Sequence, residues 1–128
     1  MLKAGWTALS AWVLILAAIP SFAANDDLGD SIQILLTRVS ESGYLFIRNG
    51  KEYNAGDAAK HMRRKYEHYV NRIQSPEDFI ELAGTKSILS GQKYLVLDIN
   101  GVIPTADWLH DRLDEYRAAP VDRGAESE

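Results

Sequence analysis

The dipeptide Asn-Gly occurs at Asn49-Gly50 and again at Asn100-Gly101, each time inside a short apolar run. This pair of turns constrains the fold more than any other feature. Asn and Gly both tolerate the positive φ angles of a two-residue type I′ turn, so "YLFIR-NG-KEY" and "KYLVLDI-NG-VIP" are predicted hairpins. Each hairpin runs into a polar residue suited to cap a helix, first Asn54 and then Thr105. Turns and caps are both offset by 51 positions, and at that offset Leu45 meets Val96, Phe46 meets Leu97, Ala58 meets Leu109 and Met62 meets Leu113.

Each half therefore reads helix, strand, turn, strand, cap, helix. Two copies are too few for a solenoid. The predicted fold class is α+β: four helices with two β-hairpins forming a small antiparallel sheet, the helices on one face. Two explanations of the echo stay open, a pseudo-twofold internal repeat and the commonness of strand-turn-cap-helix as a local pattern.

Apolar spacing places the helices. Ile32, Leu35, Leu36 and Val39 fall at i, i+3, i+4 and i+7, with Asp30 as the expected cap and Gly43 as the stop. A second helix is expected from Ala55 to about Ile73, with Ala58, Ala59, Met62, Tyr66, Tyr69 and Ile73 inward. In "SPEDFIELAG" Ser75 caps, Pro76 takes the first helical position, and Glu77 and Asp78 complement the helix dipole. The last helix carries Trp108, Leu109, Leu113 and Tyr116, and Trp108 is expected in the core.

The first residues address the chain for export. Lys3, the apolar run from Trp6 to Ile19, Pro20 and the small-residue site ending at Ala23 form a signal peptide over 1–23. The rival reading is an uncleaved anchor, since 4–24 carries no charge. The expected organisation is then a signal peptide, one domain over 24–118 and a disordered polar tail over 119–128. Cleavage removes one Lys and no acid, leaving 13 basic against 18 acidic residues. That acidic balance argues against nucleic acid as a partner, because phosphate neutralisation needs Lys and Arg. With no cysteine, disulfides and thiolate metal sites are excluded and the core alone must hold the domain.

The chemistry-bearing residues cluster on the second helix. His61, Lys65, His68 and Arg72 fall in a narrow stripe at i, i+4, i+7 and i+11. Such a stripe can hold an anion, with charge rising as histidines protonate below about pH 6.5, or it can be a solvated flank. His61 and His68 stand roughly 10 Å apart along the helix, too far for one metal ion. The connector "GTKSILSGQK" lacks the order of a phosphate-binding Walker loop and of a Ser-x-x-Lys nucleophile. Its Ser87, Ser90 and Gly91 can still form a turn with free backbone N–H groups for a carboxylate or phosphate, or serve as a plain link. Arg48 stands at the first hairpin's tip, as an edge charge or an exposed contact. Asp111, Asp114 and Glu115 lie on a surface helix without an apolar pocket to raise a pKa, which gives glycosidase chemistry little support.

"FIRNGKEYNAGDAAKHMRRKY", "FIELAGTKSILSGQKY" and "ADWLHDRLDEYR", in that order, resemble the YfeK-like family of small exported bacterial proteins of unknown function. The resemblance runs from about Ser31 to Arg117 and is weakest in "YLVLDINGVIPTA". It implies a Gram-negative periplasmic protein and no particular activity or catalytic residue. The matching positions are Arg48, Asn49, Gly50, Tyr53, His61, Lys65, Ser87, Ser90, Gly91, Tyr94 and Trp108.

The expected function is a non-catalytic binding or interaction module in the periplasm. Its candidate ligand-binding residues are Arg48, His61, Lys65, His68, Arg72, Ser87, Ser90 and Gly91, with no metal, no cofactor and no catalytic residue expected. The partner is an anionic small ligand or a periplasmic protein, and the membrane is met only through the signal peptide. One alternative is a small cell-envelope hydrolase with His61 as base and Ser87 or Ser90 as nucleophile. Another is an envelope-maintenance protein acting through dimer or partner contacts, for which Tyr44, Tyr53, Tyr66, Tyr69, Tyr94 and Tyr116 offer surface.

Overall fold

A computed structural model describes residues 27–119. The expected signal peptide over 1–23 and all but the first residue of the expected polar tail over 119–128 lie outside the described residues. The element order is α1 (Leu28–Glu41), β1 (Leu45–Arg48), β2 (Lys51–Tyr53), α2 (Ala55–His68), α3 (Pro76–Ala83), β3 (Leu95–Asp98), β4 (Gly101–Pro104) and α4 (Thr105–Ala118). Four helices and one four-stranded antiparallel sheet make an α+β fold.

The strands lie in the order β2-β1-β3-β4, so the two hairpins join through their first strands. Phe46 stands opposite Val96 in that central pairing. Both are buried, while Leu45 and Leu97, paired one step away, point to solvent. Strand side chains alternate faces, so this register fixes which face the helices cover. Phe46 and Val96 join Leu35, Val39, Phe79, Ile80, Leu109 and Leu113 in one core. Helix α1 packs against all three other helices.

The first hairpin forms as its sequence dictates. Asn49 and Gly50 are the two loop residues, with φ of 52° and 74°. The second differs. Asp98 pairs with Gly101, so its loop is Ile99-Asn100, and Gly101 opens β4 at φ 120°. The two halves therefore correspond at an offset of 50, which equates the buried Phe46 with the buried Val96 and the helix starts Ala55 and Thr105. An Asn-Gly pair marks a turn but does not say which of its residues closes the ladder.

Three boundaries also move. Asp27, not Asp30, caps α1, its carboxylate accepting from Gly29 N at 2.9 Å. Helix α2 ends at His68 and a 3-10 turn, Val70–Arg72, carries the chain on. The buried Ile73 is reached from that turn rather than from the helix. Thr105 is the first residue of α4, fully buried, and its hydroxyl makes no cap bond. Asn54 and Ser75 do cap as expected, accepting from Asp57 N at 2.8 Å and Asp78 N at 3.0 Å.

Candidate functional site

The Asn49-Gly50 turn ends β1 at Arg48 and directs the chain through β2 into α2. This brings Arg48 against the first half of α2. Arg48 Nη1 lies 2.7 Å from Nδ1 and 2.9 Å from Nε2 of His61. The same guanidinium stands 5.4 Å from the centre of the Tyr53 ring, within cation–π range.

One turn further along α2, Lys65 donates to the Tyr94 hydroxyl at 3.1 Å and to the Lys86 carbonyl at 3.0 Å. Its ammonium also stands 4.9 Å from the Tyr94 ring centre. The Tyr94 hydroxyl is 3.3 Å from His61 Nε2, and the two rings meet edge to face. Tyr94 thus links both ends of the stripe. It is held by its backbone, whose N–H donates to Thr85 and whose carbonyl accepts from Thr105 N, each at 2.9 Å.

The connector closes the other side. Asn49 Nδ2 donates to Ser87 Oγ at 3.4 Å, and the Ser90 hydroxyl donates to Asn49 Oδ1. Gly91 N donates to the Ser87 carbonyl at 2.8 Å and Gly91 takes φ 69°, so the turn is closed from within. A small pocket of about 30 Å³ opens here, lined by Phe46, Ile47, Arg48, Tyr53, Ala58, His61, Met62 and Tyr94. Its surface is almost wholly apolar, although Arg48 and His61 are among the residues that form it. A volume of that size admits a water or the end of a ligand group, not a whole cofactor.

Electrostatics set the protonation states. Burial first, then the charges of Arg48, Lys65 and Arg64, push the His61 pKa down to about 4. His61 is therefore a neutral imidazole near pH 6, and the rise in charge expected of this residue below 6.5 is moved down toward about 4. Burial, then Arg48, lowers the Lys65 pKa. Burial raises the Tyr94 pKa, with Arg48 opposing. Among the described residues neither Arg48 nor Lys65 forms an ion pair with a carboxylate.

The fold thus gathers Arg48, His61 and Lys65, and joins Ser87, Ser90 and Gly91 to them through Asn49, Tyr94 and the Lys86 carbonyl. His68 and Arg72 go elsewhere. His68 packs on Tyr69 with ring centres 4.7 Å apart, and Arg72 lies 5.5 Å from that same ring. The early end of α2 breaks the stripe between them. Tyr94 and Asn49 hold the cluster together, and periodicity points to neither, because one is a strand-edge residue and the other is already explained by its turn.

Residues 27–117 match a family described as "Family of unknown function (DUF5329)". The chain belongs to this family. As a DUF5329 chain it is similar to "Uncharacterized protein YfeK" of Salmonella typhimurium strain LT2, with 32% identity over 84 residues, covering 64% of this chain and 70% of that protein. The resemblance on the three sequence blocks is thereby established, and with it a YfeK-like domain of unknown function. No solved structure matches this DUF5329 chain. The family match spans both hairpins, α1 to α3 and all but the last residue of α4, including every residue of the cluster.

Proposed function

We propose that this chain is a periplasmic, non-catalytic binding module that takes an anionic group at the Arg48–His61–Lys65 cluster. One observation carries the reading. Two half-buried cations, Arg48 and Lys65, flank a neutral imidazole and a tyrosine hydroxyl beside a pocket that Arg48, His61 and Tyr94 line, and among the described residues no carboxylate pairs with either cation. Partly desolvated charge without a counter-charge is unfavourable, and an anionic ligand offsets that cost. The apolar floor formed by Phe46, Ile47 and Met62 suits a carbon group next to the anion. The leader at the start of the sequence supports the periplasmic assignment.

The hydrolase reading has less behind it. His61 meets Arg48 and Tyr94, whereas Ser87 and Ser90 meet Asn49. The imidazole would have to leave both partners to serve either serine as a base.

The test is an amide NMR titration with phosphate and with acetate, near pH 7 and again near pH 5, both above the pH at which His61 titrates. Shifts should cluster at Arg48, His61, Lys65, Ser90 and Gly91 with similar strength at both pH values. Replacing Lys65 by Met should weaken binding by roughly tenfold, the worth of one charge-assisted hydrogen bond. Unmoved amides at these positions with both anions would end the proposal.

A further inference from the structure

The connector between α3 and β3 is turned inside out. Ser87 is buried, and the side chains of Ser87 and Ser90 both meet Asn49. Between them, Ile88 and Leu89 are 66% and 98% exposed. We propose that this tip enters the surface of an anionic bilayer, with Ile88 and Leu89 among the lipid chains and the surrounding lysines against the headgroup phosphates. The folded domain, and not the leader alone, then meets the membrane.

The tip is tied at its base. Ser87 N donates to the Gln92 carbonyl at 3.0 Å, and Gly91 N donates to the Ser87 carbonyl at 2.8 Å. Gln92 N donates to the Ser90 hydroxyl at 3.2 Å. With Asn49 clamping both serines, the turn holds its two aliphatic side chains at the apex. A solvated turn shows serine to water and buries Ile and Leu; here the order is reversed over four consecutive positions. Single exposed aliphatics are ordinary on a protein surface, but a clamped adjacent pair is a contact surface without its partner.

Charge selects that partner. Segments 48–51 and 84–94, which meet at the clamp, carry Arg48, Lys51, Lys86 and Lys93 and no acid, in a chain with 14 basic and 18 acidic residues. Lys86 and Lys93 face each other across an isolated bridge just behind the tip, both exposed. Lys65 reaches the Lys86 carbonyl from α2 at 3.0 Å. Among the described residues none of these cations pairs with a carboxylate. Glu52, the first acid beyond Lys51, stands opposite Ile47, on the other face of the sheet from Arg48. An apolar apex within a basic collar matches a bilayer interface, where acyl chains lie beneath a layer of phosphates. Two side chains offer far less than the roughly 800 Å² a side of a stable protein interface. A bilayer makes no such demand, because apolar insertion and charge attraction add. Binding at the tip does not depend on a free anion at the Arg48–His61–Lys65 cluster, since none of Lys86, Ile88, Leu89 and Lys93 lines its pocket.

The test uses protein made from the full-length chain and bilayer nanodiscs holding a trace of spin-labelled lipid, with amide broadening read from Ser87 to Gly91. The readout is local to the tip, so a leader lodged in the bilayer does not supply it. Nanodiscs of phosphatidylglycerol and phosphatidylethanolamine in equal parts should broaden Ile88 and Leu89 first, and pure phosphatidylcholine should need at least about tenfold more lipid. Leu89→Ser should need at least about tenfold more anionic lipid, while its circular dichroism and its phosphate-induced shifts at Arg48 and His61 stay as in the parent. Replacing Lys86 and Lys93 together by Gln should also cost about tenfold, a difference that shrinks at high salt. Tip amides left sharp by anionic nanodiscs, or broadened equally in Leu89→Ser, would overturn the proposal. Phosphate shifts that persist in that case leave the anion-binding cluster standing alone. Tip amides that shift as the protein is concentrated without lipid would assign the apex to a second copy and overturn it as well.

Discussion

Asn49 and Ser90, far apart in sequence, are joined side chain to side chain, the Ser90 hydroxyl donating to the Asn49 amide oxygen. The same amide donates to Ser87. The first turn thus clamps the connector that leads into β3, and one residue does two jobs. Asn49→Gly separates them, because glycine accepts the positive φ at no steric cost but has no amide. This variant should lose about 1–2 kcal/mol, the worth of the severed hydrogen bonds, in urea denaturation. Asn49→Ala should cost more, since it adds strain at φ 52°. Equal costs would mean that only the amide contacts matter, and an unchanged stability in Asn49→Gly that only the turn does.

His61 should report its surroundings directly. Its folded pKa of about 4 lies below the 6.5 of an unfolded histidine. The folded chain therefore binds fewer protons in this window. The stability that depends on a neutral His61 is fully present above pH 6.5 and is lost as pH falls through the window toward 4. Histidine carbon-proton NMR should give a His61 midpoint well below the ordinary 6.5. Replacing His61 by Gln should flatten the stability profile between these pH values. A normal His61 midpoint would contradict the buried, cation-flanked position.

Gly84 ends α3 against Leu109. A Cβ built there would lie 2.4 Å from Leu109 Cδ1. Leu109 is fully buried and cannot swing clear. Gly84→Ala should therefore destabilise by about 1–3 kcal/mol through overpacking. In a Leu109→Ala background the added methyl enters the space left by the leucine and should cost much less. Additive effects in the double-mutant cycle would argue against contact between the two positions.

Thr105 offers a sign test. As a helix cap, its replacement by Val would cost about 1 kcal/mol. As a buried hydroxyl with no partner, which is its observed state, the same change should be neutral or stabilising by up to about 1 kcal/mol. Thermal unfolding of Thr105→Val decides between the two by sign alone.

Local chemistry determined much of this protein. Positive φ at Asn49 and Gly50, the caps at Asn54 and Ser75, the stop at Gly43 and the inward faces of the helices all follow from residues within a few positions of one another. The His61–Lys65 pairing was legible too, since i and i+4 share a helix face. What depended on distant partners was not. Which residues close the second hairpin rests on the ladder that Val96 and Leu97 make with β1 and β4. That ladder decided the offset of 50 and placed Phe46 opposite Val96. Tyr94 joined the site because Thr85 and Thr105 hold its backbone there. His68 and Arg72 left it because the chain turns after His68 toward the buried Ile73. Sequence fixes what each segment can do within one turn of helix or one hairpin. Only burial of a shared core, which no single segment contains, selects among those options.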